Sequence, residues 1–146
     1  MDFERRVSGA FVTKVFRGAS GTPLAQSLLR EGLDVTSPSA DVPVEAFSRW
    51  LGLYSSALRP ELNRGEALRR FGFELVREKY EGVSLRDVMT MLPERLQHVG
   101  AFLDVSMTQV TPHRYVAHFD DVGSLHTFFL GIFEGATSST GVPSEV

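Results

Sequence analysis

Ala101-Phe102-Leu103-Asp104-Val105-Ser106-Met107-Thr108-Gln109-Val110 and its return segment Arg114-Tyr115-Val116-Ala117-His118-Phe119 decide the fold class. The apolar period here is two. Leu103, Val105 and Met107 fall on one side and Asp104, Ser106 and Thr108 on the other, the pattern of a half-buried antiparallel strand. Tyr115, Ala117 and Phe119 alternate with Arg114, Val116 and His118 in the return strand, and Thr111-Pro112-His113 supplies the turn. After a second turn at Asp120-Asp121-Val122-Gly123 the period becomes helical. Over residues 123–135, Leu125, Phe128, Phe129, Ile132 and Phe133 form a broad apolar stripe suited to lie across the hairpin. A two-stranded ribbon is marginal by itself in water, so something must complete that sheet. Segment 7–16 is the leading internal substitute: Val7, Gly9, Phe11, Thr13 and Val15 alternate with Ser8, Ala10, Val12, Lys14 and Phe16, a strand apolar on both faces. A strand from a partner chain is the alternative.

The residues between these segments carry helical periods. Leu24, Leu28 and Leu29 space a short helix that Gly32 closes as a left-handed cap. Residues 33–42 form a loop without periodicity. Pro43 then opens a helix whose Val44, Phe47, Leu51, Tyr54 and Leu58 share one face, and Pro60 ends it. Asn63 and Glu66 have capping-box spacing before a helix with Leu68, Phe71 and Leu75 on its buried stripe, where Ala67 and Gly72 offer close approach to a neighbour. Arg69, Arg70, Glu74, Arg77, Glu78 and Lys79 read as its solvated face, with Glu74 able to meet Arg70. Ser84 and Asp87 cap a shorter helix bearing Leu85, Val88, Met89 and Leu92, which Pro93 is expected to stop. The fold class expected is α+β: an N-terminal strand, a bundle of about four helices, and an antiparallel β-hairpin covered by a C-terminal amphipathic helix. Residues 1–136 form one domain, and 137–146 are a flexible tail or a truncated extension.

Composition bounds the function. A chain of 146 residues with a 42% apolar fraction and eleven Phe is an ordinary globular domain. With no cysteine, disulfides, thiolate nucleophiles and Cys-ligated zinc are excluded, and a cytoplasmic location is favoured. No signal peptide or membrane-spanning stretch is evident, so no membrane insertion is expected. A net charge of −3 argues against nucleic acid as a partner.

No catalytic constellation emerges. His113, His118 and His126 with Asp120 and Asp121 match no metal-ligand signature, and ordinary surface and capping roles explain them better. Ser20, Ser37, Ser39, Ser84, Ser138, Ser139 and Ser144 sit in turn-like or cap-like contexts without a nucleophile-elbow pattern. Gly18-Ala19-Ser20-Gly21-Thr22 lacks the Lys-Ser/Thr of a P-loop, so a flexible connection is the better reading. No enzyme activity, cofactor or metal is therefore expected. The function expected is a bacterial cytoplasmic adaptor or regulatory module that binds a protein partner or its own kind. Phe128, Phe129, Ile132, Phe133, Leu103 and Val105 are its candidate contact residues. The alternative is a small-molecule sensor holding an apolar or aromatic ligand near Phe71, Leu75, Met89, Leu103 and Tyr115.

Five short runs carry a resemblance by their order. They are Glu31-Gly32-Leu33-Asp34-Val35, Pro43-Val44-Glu45, Glu66-Ala67-Leu68-Arg69-Arg70-Phe71-Gly72, Leu92-Pro93-Glu94-Arg95-Leu96 and Gly131-Ile132-Phe133-Glu134-Gly135. Together they resemble an uncharacterised paralogous family abundant in myxobacteria. Its members run longer, with more strand-like sequence after the equivalent of Glu134-Gly135, which implies that this chain lacks its usual last strands. The element order is also similar to the fold shared by heme-based nitric-oxide sensors, vinyl-reductase-type ligand-binding domains and vesicle-tethering adaptor subunits. The Tyr-x-Ser-x-Arg signature of the heme sensors is absent, so heme is not expected.

Overall fold

The computed structural model describes residues 5–100, 105–111, 114–119 and 125–138. In chain order the elements are β1 (Arg6–Val7), α1 (Gly9–Phe16), α2 (Pro23–Arg30), β2 (Val42–Pro43), α3 (Val44–Leu58), α4 (Arg64–Val76), α5 (Leu85–Gln97), β3 (Val105–Thr111), β4 (Arg114–Phe119) and α6 (His126–Ser138). Among the described residues the fold is α+β, six helices with two small antiparallel strand pairs, β1–β2 and β3–β4.

Segment 7–16 is helical and does not complete the hairpin. A continuous apolar run fits a buried strand and a buried helix equally well by period, and tertiary contacts choose between them. Here Gly9, Val12, Val15 and Phe16 are buried at helical spacing. The Asp41 carboxylate accepts the Gly9 N–H at 2.8 Å, satisfying a first-turn donor from across the loop. Thr13 Oγ1 donates to the Gly9 carbonyl and accepts the Ser39 N–H, both at 2.9 Å, which straps that loop to α1. Only Arg6 and Val7 remain extended, paired with Pro43 and Val42.

Pro43 lies in β2, one residue before α3, whereas the caps at Gly32, Asn63 and Ser84 form as their spacing predicts. Gly32 has φ +96°; its N–H bonds the Leu29 carbonyl at 3.0 Å, and the Leu33 N–H bonds the Leu28 carbonyl at 2.9 Å, the paired bonds of a Schellman ending to α2. Asn63 Oδ1 accepts the Glu66 N–H at 2.9 Å, and Ser84 Oγ accepts the Asp87 N–H at 3.2 Å. Arg70 meets Glu74 at 3.2 Å as its spacing predicts, and Arg59 joins the same carboxylate at 2.7 Å.

Pro93 does not stop α5, which runs on to Gln97. The ring removes one internal hydrogen bond, a cost set against burial of Leu92 and Leu96 on the turns either side of it. The expected hairpin forms, with Val105 opposite Phe119, Met107 opposite Ala117 and an irregularity between Gln109 and Thr111. Its first residues as read from sequence, 101–104, and its turn at 112–113 lie outside the described residues.

The helix α6 departs most from the sequence reading. Its principal neighbour is α4 and not the hairpin, which packs against α5. Glycines allow the approach: a Cβ on Gly72 would strike the Phe128 carbonyl, one on Gly131 the Arg69 carbonyl, and one on Gly135 the Phe73 carbonyl. With the backbones this close, Arg69 Nε reaches Glu134 Oε1 at 2.5 Å. Phe128, fully buried, has its ring centroid 6.5 Å from that of Phe11, 6.3 Å from Phe47, 6.2 Å from Phe71 and 5.3 Å from Phe129, so it joins α1, α3, α4 and α6. The helix continues to Ser138 with Ala136 and Thr137 buried.

Candidate functional site

The concave feature of interest lies where α1, the end of α4 and the end of α5 meet. The Ser8 N–H donates to the Val99 carbonyl at 2.6 Å and so fixes the start of α1 against the segment after α5. Between them opens a half-open cavity of about 300 Å³, at the lower end of the range for small-molecule pockets. Its walls combine two chemistries. Val76, Leu92, Leu96, Val99 and Ile132 are buried in the floor, while Phe11 and Leu75 are half-buried at the sides. Lys14 from α1, Lys79 from the turn after α4, and Arg95 and His98 from the end of α5 lie on the exposed rim.

The rim gathers positive charge. Among the described residues no carboxylate lies within ion-pair distance of Lys14, Lys79 or Arg95, whereas Arg49, Arg59, Arg69 and Arg70 each meet a glutamate. Arg95 instead lies over the face of Tyr80, its guanidinium carbon 5.4 Å from the ring centroid. Both α4 and α5 end here, and the negative ends of their dipoles offset part of the repulsion, about 0.3–1 kcal/mol for each exposed cation. Lys79 registers this setting in its ionisation. Burial first, then Lys14 by hydrogen bonding and by charge, and then the charge of Arg95 push its ammonium down to about 8.

The residues singled out from sequence are not gathered at this pocket. Of the alternative ligand set, Leu75 lines it; Phe71 packs in the aromatic cluster, Met89 is buried, and Leu103 lies outside the described residues. Tyr115 is half-buried on β4, and its hydroxyl is buried without a hydrogen-bond partner among the described residues. Of the candidate contact residues, Phe128, Phe129, Ile132 and Val105 are buried within the domain and Phe133 is half-buried. Glycine-mediated approach of α6 to α4 draws Phe128, Phe129 and Ile132 inward. His118 and His126 are exposed, and His113, Asp120 and Asp121 lie outside the described residues. Sequence reading passed over Lys14, Lys79, Tyr80 and Arg95. The available signal was rarity: thirteen of the fifteen basic residues are arginine, and the two lysines are the pair at the rim.

Residues 2–146 match a family described as a protein of unknown function, DUF2378. This chain belongs to that family. The match spans the short runs whose order suggested an uncharacterised family, and it covers every part of the DUF2378 fold described above. No curated protein and no solved structure matches the chain. Among the described residues of this DUF2378 protein, no helix is long and apolar enough to cross a membrane.

Proposed function

We propose that the protein is a non-enzymatic regulatory module of the bacterial cytoplasm that takes a small molecule with an apolar body into the pocket between α1, α4 and α5. The observation that carries this reading is the cavity of about 300 Å³ floored by core residues of the single chain. Mainly apolar walls with a few polar anchors at the mouth are the common composition of such sites.

Ala10 provides the test. It is exposed on α1 and lines the mouth, so Ala10→Trp fills the pocket without disturbing the buried face of the helix. The neutral fluorophore N-phenylnaphthylamine is expected to bind the wild-type protein with one-to-one stoichiometry. Ala10→Trp should abolish that binding while circular dichroism stays unchanged. Binding that is absent in the wild type, or unaffected by Ala10→Trp, overturns the reading.

The hairpin supports a second reading, that of a protein-binding adaptor. Val110 is 54% exposed on β3, and β3 and β4 pair only with each other among the described residues, leaving edges open to strand addition. Light scattering tests it: self-association that Val110→Lys abolishes would favour this reading, and a monomer in both proteins would remove self-association from it.

A further inference from the structure

We propose that the ligand of this pocket is an amphipathic anion, a single apolar chain or ring bearing a carboxylate or similar acidic head, and that Lys14, Lys79 and Arg95 hold the head at the rim. This rests on the reading of the pocket as a small-molecule site and adds the chemical class. The chain is acidic overall, with eighteen carboxylate residues against fifteen basic ones. Three cations from three separate parts of the fold converge on this one rim, and among the described residues no carboxylate lines the pocket or forms an ion pair with them. A local positive field in an acidic protein raises the concentration of anions at the mouth. Directly below it Leu75, Leu92, Leu96 and Ile132 offer only apolar surface. A neutral apolar ligand would fill the floor and leave the cations repelling one another. An acidic head on an apolar body satisfies both halves at once, and charge-assisted hydrogen bonds to the two ammonium groups and the guanidinium would orient it. A half-open volume of about 300 Å³ suits one chain or ring and not the two chains of a bilayer lipid.

The ionisation of Lys79 is depressed to about 8, first by burial and then by Lys14 and Arg95. Lys14 faces it from α1, Tyr80 from its own turn, and Arg95 and His98 from the end of α5; α6 contributes only Ile132. An anion between these groups would restore the proton to Lys79. Binding should therefore take up protons near pH 8, and affinity should fall as pH rises through about 8, where the free protein's Lys79 becomes neutral.

The experiment is displacement of N-phenylnaphthylamine by decanoate and by decanol, matched in chain and different in charge. The wild type is expected to prefer decanoate by about tenfold or more. Lys14→Met and Lys79→Met should each lose most of that margin while keeping the affinity for decanol. Decanoate should also protect both lysines from an amine-acylating reagent, a result easily read by mass spectrometry in a chain with two lysines. Equal displacement by decanol, or a margin unchanged in both variants, would sink the anion assignment and leave the pocket reading standing. Dye binding insensitive to Ala10→Trp would remove the pocket reading and this one together. Co-sedimentation with phosphatidylglycerol vesicles that the lysine variants abolish and free decanoate leaves intact would overturn it in favour of a membrane surface.

Discussion

At the scale of single residues the fold spends its unusual chemistry on Lys79. The sequence places it in a run of alternating charges, Arg77-Glu78-Lys79, where a solvated face is the natural reading. The fold turns it toward Lys14 and Arg95 instead. Its ionisation is depressed from 10.5 to about 8, so the unfolded chain binds the proton more tightly than the folded one. Folding is therefore opposed by this group at and below pH 8, and the opposition fades as pH rises from about 8 to 10.5. Lys79→Met keeps the apolar stem and removes the charge. At pH 7 it should raise stability by about 0.5 kcal/mol, the scale of a solvent-screened interaction. The gap between wild type and variant should narrow from pH 8 to pH 10, read as thermal midpoints measured side by side. A constant gap would mean that Lys79 ionises normally.

At the scale of elements, helix ends were legible and helix neighbours were not. Gly32, Asn63 and Ser84 each close or open a helix through bonds to residues within five positions, so a local reading suffices. The hairpin is legible for the same reason, its period and turn being properties of adjacent residues. α1 was misread because its helical state is settled by Asp41 and Ser39, far away in the chain. Asp41→Ala should cost about 1 kcal/mol in urea denaturation, as the loss of a helix-capping acceptor does. The α4–α6 contact gives a test in which sign is the readout. Gly131→Ala should destabilise by about 3 kcal/mol, because the new methyl meets the Arg69 backbone and the helices must separate. Gly65→Ala, in the first turn of α4, has only ordinary contacts with Asn63 and Thr127, and should stabilise by up to about 1 kcal/mol through helix propensity. If both changes stabilise, the helices are not in close contact.

Across the whole molecule one buried ring ties the layers together. Phe128 touches rings from α1, α3 and α4 as well as its own helix, so Phe128→Ala should cost about 4 kcal/mol and broaden or abolish cooperative unfolding. A surface role in partner binding would instead leave stability within about 0.5 kcal/mol of wild type, and denaturation distinguishes the two. The α+β class, the caps at Gly32, Asn63 and Ser84, the hairpin and the apolar face of α6 were determined by the sequence alone. Each depends on periods and hydrogen bonds between near neighbours, which a one-dimensional reading contains. The partner of α6, the helical state of α1 and the meeting of Lys14 with Lys79 and Arg95 were decided only by the tertiary structure. Those features arise from steric fit and charge between residues distant in the chain, and neither backbone proximity through glycine nor the convergence of cations from three elements leaves a local period to read.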